Sequence, residues 1–284
     1  MDTLSTLFAD LIEQVMAKVK PTTLITEDNV YQEGNEKILP FFEKMIDTLV
    51  LPGSGVNGME NLEELYKKAL SGASCLLLPE HYSNLDLTLI TSLIGREGGL
   101  GPEIAKSVVA IAGMKLNEEN PIVSAFASAY SRIIIYPSRS MEKIDREKDQ
   151  AERSRSNAIN RAAIKALNEI KTKGHLILVF PSGTRYRPWD PNTKRGLREV
   201  DSYIRSFDYM CPIAINGEVL HVRQGDMLED SVSRHIVRIT AGSVIPCSEF
   251  RNRIKAEKVL EDKKQAVADA IMEILEEMHK ANDE

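Results

Sequence analysis

The amino-acid sequence predicts an α/β protein: a mixed, largely parallel sheet flanked by helices, with a smaller N-terminal helical domain. Three observations predict it. Apolar residues recur at helical spacing through roughly the first 70 positions. From residue 74 onward, short apolar runs of strand length alternate with helical stretches, the order that builds a parallel layer. A chain of 284 residues also buries enough surface to hold such a core without disulfides or a structural metal. The expected domains are 1–72, helical, and 73–284, α/β.

The elements follow in order. Residues 3–20 carry Leu4, Phe8, Leu11, Ile12, Val15 and Val19 on one stripe, with Asp10, Glu13 and Lys18 between them, and read as one amphipathic helix. Its polar face mixes acids with bases, which fits packing on a core better than lying on a membrane. Helices are expected over 32–49 and 58–70, separated by the turn Pro52-Gly53-Ser54-Gly55. Cys75 to Leu78 is a buried strand bounded by Pro79, and 86–93 is a helix. Further strands are expected at 108–112 and 132–136. The segment 145–173 is a long helix with Ala158, Ile159, Ala162, Ala166, Leu167 and Ile170 on its apolar face, stopped by Gly174. Strands at 175–180, 210–216 and 235–241 and a charged helix at 252–280 complete the chain. There is no internal repeat, and the glycines at 95–101 match neither a P-loop nor a dinucleotide fingerprint.

Composition narrows the function classes. With 36 basic and 42 acidic side chains the net charge is -6, which argues against a nucleic-acid partner. No apolar run approaches the roughly 18 residues of a membrane span. The first residues lack the pattern of a secretory leader, and Cys75, Cys211 and Cys247 are scattered without a CxxC pair, so the expected location is the cytoplasm, with peripheral membrane contact left open. No metal-ligand spacing is present, so no metal and no resident cofactor are expected.

Two segments carry chemistry. His81 and Asp86 lie five apart across an expected strand-to-helix turn, where the carboxylate can hold one ring nitrogen and leave the other to take a proton from a hydroxyl. The spacing recurs at His221 and Asp226, but in a polar stretch rather than at the end of an apolar strand. Directly after a buried strand, Phe180-Pro181-Ser182-Gly183-Thr184-Arg185-Tyr186-Arg187-Pro188 sets two arginines two apart on a loop, and guanidinium forks suit a phosphate. The alternative is a solvated basic loop. Arg132, leading into Pro137-Ser138-Arg139-Ser140-Met141, could add a third cation, although taken alone these residues read better as an edge strand with a surface arginine. No GxSxG elbow surrounds Ser182, which speaks against a serine nucleophile.

In this order the motifs resemble the four blocks of the glycerolipid acyltransferases of the HX4D type. His81 to Asp86 is similar to block one and the strand at 132–136 to block two. Phe180 to Arg187 is similar to the Phe-Pro-Glu-Gly-Thr-Arg block, and Pro212-Ile213-Ala214-Ile215 to the Val-Pro-Val block. Within that superfamily the sequence most resembles the soluble, plastid-type glycerol-3-phosphate acyltransferases, over about residues 74–245 and more loosely over the helical domain. Two positions depart from the pattern. Arg139-Ser140-Met141 stands where those enzymes have Lys-His before a methionine, and Ser182 stands where membrane-bound relatives have Glu.

The resemblance implies transfer of a fatty acyl group from an acyl-carrier-protein or acyl-CoA thioester to the 1-hydroxyl of glycerol 3-phosphate. By matching positions, His81 is the general base and Asp86 its orienting carboxylate. Arg139, Arg185 and Arg187, with Gly183 and Thr184 of the same loop, bind the phosphate or substrate. An acidic carrier protein would meet a basic face, for which Lys106, Lys115, Arg139, Lys143, Lys194, Arg195 and Arg198 are candidates. Two rivals stay open: a lysophosphatidate acyltransferase at a membrane surface, and a non-catalytic module that binds an acyl carrier or a phospholipid.

Overall fold

The structure is a computed structural model that describes residues 2–19, 24–114, 121–142, 144–145, 149–225, 227–257 and 262–282. Lys115, Lys143 and Asp226 lie outside the described residues. The chain forms two compact units that interleave along the sequence. Unit 1 takes Met1–Ala9, Glu43–Val108 and Thr172–Glu284, and unit 2 takes Asp10–Phe42 and Val109–Lys171. The boundary at residue 72 is a division of a different kind and stays an expectation. The architecture is mixed α/β, largely parallel, with helices on the strands.

The first helix is interrupted. Thr3 caps α1 (Leu4–Leu7) through a capping box with Thr6, and Phe8 leaves helical geometry at φ -116° before α2 (Ala9–Lys18) begins. The expected stripe is still buried: Leu4, Phe8, Leu11, Ile12 and Val15 are all in cores. The expected helix over 32–49 starts late. Tyr31–Gln32 is strand β1, and α3 (Leu39–Leu49) begins only at the residue before Pro40, because a proline is tolerated in the first turn of a helix and not inside it. The turn at 52–55 leads straight into a short strand, β2 (Gly55–Asn57), and α4 (Met59–Leu70) follows Gly58, whose φ of 74° needs glycine.

Next come β3 (Cys75–Pro79), α5 (Asp86–Arg96), α6 (Gly101–Ser107) and β4 (Val108–Gly113). After them follow α7 (Pro121–Ala127), β5 (Arg132–Ile135), α8 (Ser138–Met141), α9 (Gln150–Ile170) and β6 (Leu176–Leu178). The last part holds α10 (Val200–Ser206), β7 (Tyr209–Asn216), β8 (Leu220–His221), β9 (Ser231–Val232), β10 (Arg238–Ala241) and β11 (Ile245–Pro246). The single C-terminal helix expected over 252–280 is instead two, α11 (Cys247–Glu257) and α12 (Lys263–Ala281). Asp262 caps the second by accepting the N–H groups of Lys264 and Gln265.

In unit 1, β3 is central and pairs in parallel with β6 on one side and β7 on the other. β7 pairs antiparallel with β10 and β11, and β10 pairs in parallel with β2. All five residues of β3 are buried, as a strand covered on both faces must be. α12 packs on β7 with Ala266, Val267, Ala270, Ile271 and Leu275 inward, while α4 packs on β3 and β7. This arrangement brings the carboxyl end of β3 to the loop where His81 sits.

In unit 2, β4 and β5 are parallel, β1 closes antiparallel on β5, and α9 covers β5. Phe42 meets Phe126 edge to face at 5.0 Å. Asn160 on α9 exchanges two hydrogen bonds with the backbone of Tyr136, at 2.8 and 3.0 Å, and so finishes the strand as a neighbouring strand would. Among the described residues no helix is long and apolar enough to cross a membrane.

Candidate active site

The site is built on the turn between β3 and α5. Asp86 is the first residue of α5, where the positive end of the helix favours a carboxylate. It is buried and saturated: Oδ2 accepts the N–H of Tyr82 at 2.6 Å and of Ser83 at 2.9 Å, and Oδ1 accepts the Ser83 hydroxyl at 2.7 Å. The same Oδ2 lies 2.9 Å from Nδ1 of His81. A carboxylate in this setting only accepts, so Nδ1 carries the proton and Nε2 is left as the acceptor. The His81 ring stacks on Phe180, with centroids 3.9 Å apart and planes 18° from parallel, which fixes its tilt. Its side chain keeps 15% exposure, enough to meet a substrate.

The arginine loop is tied to this histidine. Tyr186 donates its N–H to the His81 carbonyl at 2.8 Å, and Leu197 donates to the Pro181 carbonyl at 2.9 Å. Gly183 turns the chain at φ 62°, and a Cβ there would stand 2.2 Å from Cδ1 of Leu197, so any other residue would strain the backbone and displace the Leu197 side chain. Ser182 is buried and donates its hydroxyl to the Thr184 carbonyl at 2.7 Å, a turn-forming bond that leaves it no role as a nucleophile. Arg185 gives Nη1 to Oδ2 of the buried Asp230 at 2.7 Å. Arg187 is exposed, and no acidic side chain among the described residues pairs with it. Its backbone N–H is held by Thr193 Oγ1 at 2.8 Å.

The structure therefore brings His81, Asp86, Gly183, Thr184, Arg185 and Arg187 into one unit. Arg139 lies exposed on α8 in unit 2. Arg132, weighed as a surface arginine on an edge strand and as a further cation for the same anion, is neither: it is buried in unit 2 on a strand paired on both sides, where it donates to the Ala127 carbonyl at 2.6 Å and to Gln32. Burial lowers its guanidinium pKa to about 10. Of the cations considered for a carrier-docking face, Lys194, Arg195 and Arg198 pair with Glu276, Asp269 and Asp262 of the C-terminal segment.

Sequence reasoning missed a second layer. Glu80 is buried beneath the histidine loop, where Oε2 accepts the Ile215 N–H at 2.8 Å and faces Nδ1 of His279 at 2.9 Å, while Oε1 accepts the Tyr82 hydroxyl at 2.8 Å. Burial, then the Glu80 charge, raises the Tyr82 phenol far above its usual range, so it stays protonated and donating. A charged residue at position 80, directly after an apolar strand, was the one available signal for this layer. Asp230 gave none.

Comparison with known proteins agrees with the motifs. The sequence model of a family described as Acyltransferase matches residues 54–248, a span that holds His81, Asp86 and the arginine loop. No curated protein matches the chain at a significant level. With more than half of its length covered by the family model, the chain belongs to the acyltransferase family, the glycerolipid acyltransferase superfamily whose chemistry is acyl transfer.

Proposed function

We propose that the chain is a glycerol-3-phosphate O-acyltransferase, which moves a fatty acyl group from an acyl-carrier-protein or acyl-CoA thioester to the 1-hydroxyl of glycerol 3-phosphate. The observation that carries this reading is the join between two loops: an imidazole poised by Asp86 at 2.9 Å, and a paired arginine loop bonded to the histidine's own carbonyl at 2.8 Å. A base beside cations suits an acceptor with a hydroxyl at one end and a phosphate at the other.

The reaction balances on these groups. His81 Nε2 takes the proton of the acceptor hydroxyl as its oxygen attacks the thioester carbonyl. The tetrahedral intermediate then collapses, the C–S bond breaks, and the imidazolium returns the proton to the leaving thiolate. Asp86 holds the ring and stabilises the imidazolium, and a positioned base of this kind contributes about 10² to 10⁴ in rate. The thioester is already activated, so no covalent enzyme intermediate is needed.

A second reading, a lysophosphatidate acceptor, is favoured by Trp189. This residue is 43% exposed at the tip of the arginine loop, where an indole suits a lipid interface. One experiment separates the two. Purified protein is given an acyl thioester with either glycerol 3-phosphate or lysophosphatidate, and thiol release is followed. Release that requires glycerol 3-phosphate supports the first reading, and release only with lysophosphatidate replaces it with the second. Release with neither acceptor removes both and leaves a binding module.

A further inference from the structure

We infer that Asp230 is a positioning residue for Arg185, orienting its guanidinium toward the acceptor phosphate; this rests on the phosphate-acceptor reading above. Asp230 is fully buried, and its side chain has no freedom left. Oδ1 accepts the Arg223 N–H at 2.9 Å and Oδ2 takes Arg185 Nη1 at 2.7 Å. The backbone is held as well: the Asp230 carbonyl accepts the Leu4 N–H at 3.0 Å, Val232 donates to the Asp2 carbonyl at 2.9 Å, and Ser231 bridges to Thr3 while pairing with His221.

With one oxygen taken by Arg223, Asp230 offers a single oxygen to a group that carries five N–H donors in a rigid plane. A bidentate grip would consume the face of the fork that a phosphate needs. A one-point grip holds one end of the guanidinium and leaves its other donors for the phosphate. Among the described residues no acidic side chain anchors Arg187, so the two arginines are unlike: Arg185 is held before substrate arrives, and Arg187 is ordered by it. The chain's first residues thereby take part in the site, since Asp2 and Leu4 brace the segment that holds the carboxylate.

The test measures glycerol 3-phosphate binding by calorimetry, and KM and kcat by thiol release, on the full chain and on Asp230→Asn, Arg185→Ala and the double variant. Losing one charge-assisted contact from a phosphate site costs about tenfold or more in affinity. The inference expects Asp230→Asn to raise Kd and KM by about tenfold with kcat largely kept, and to add nothing further in the Arg185→Ala background. Unchanged or tighter binding in Asp230→Asn while Arg185→Ala weakens it overturns the inference and leaves the phosphate reading intact. Additive losses, or a fall in kcat alone, overturn it too. If Arg185→Ala itself changes nothing, the phosphate reading fails and takes the inference with it. Should Asp230→Asn not fold, Asp230→Glu keeps the charge and shifts the guanidinium by one methylene, and wild-type Kd in that folded variant is equally decisive against the inference.

Discussion

The N–H of Tyr186 donates to the carbonyl of His81 at 2.8 Å, and this single bond ties the loop bearing Arg185 and Arg187 to the loop bearing the imidazole. The spacing of the two loops is therefore set by backbone, and the side chains of His81, Arg185 and Arg187 start from fixed positions. Substitutions that disturb either loop should show at both.

Gly183 is the sharpest case. Its φ of 62° and the 2.2 Å approach of a Cβ to Leu197 Cδ1 mean that Gly183→Ala combines backbone strain with overpacking. A loss of about 2 to 4 kcal/mol in unfolding free energy is expected by denaturant titration. A variant as stable as the parent would contradict this account of the turn.

Glu80 anchors the histidine loop from below, through Ile215, Tyr82 and His279. Glu80→Ala orphans the buried Ile215 N–H and should cost about 1 to 3 kcal/mol. His279→Ala should cost less, because the imidazole is partly exposed and the other two bonds to Glu80 survive. Equal losses, or the reverse order, in thermal melts would show that α12 rather than the Ile215 bond holds Glu80 in place.

Much of this was legible in the sequence, and what was not has a physical cause. The apolar run before Pro79 and the apolar helix after Asp86 marked the histidine turn correctly, because both elements declare themselves over consecutive residues. The partners of Glu80 and Arg185 are not local: His279 is 199 residues from Glu80, and Asp230 is 45 from Arg185. Such pairs depend on what the fold brings together, the sheet order β6-β3-β7-β10 for the first and the placing of the β8-β9 ribbon for the second, which no local pattern states. The break at Phe8 and the cap at Asp262 were missed because the apolar spacing runs through both, while the late start of α3 could have been read from Pro40.

The thiols of Cys75, Cys211 and Cys247 are buried, and burial, aided by the nearby Asp208 for two of them and Glu64 for Cys211, pushes each up to about 12. At pH 8 the folded protein should therefore show almost no reaction with a thiol reagent, and all three should react once it is unfolded. Reaction of a folded sample at the rate of free cysteine would contradict the burial. The prediction also has a practical side, since thiol released by catalysis can be followed without interference from the enzyme.

Burial pushes the Asp201 carboxyl up, but bonds from Arg251 at 2.7 Å and Lys255 at 3.0 Å outweigh it, leaving the carboxyl below its usual range. In acid the unfolded chain takes up this proton first. The stability from the cluster is thus present above the unfolded value of about 3.9 and is lost as pH falls through the folded value. Asp201→Asn should be less stable than the parent at pH 7, and the gap should narrow as pH falls from about 4 through the folded value. A gap that stays constant across that range would mean the charge contributes nothing.

The most direct measurement is the kcat for glycerol 3-phosphate-dependent thiol release in His81→Ala, beside a thermal melt of the same sample. The account predicts a fall of at least about a hundredfold with melting and glycerol 3-phosphate binding near those of the parent. A folded His81→Ala protein that keeps the parent rate would contradict the assignment of His81 as the base.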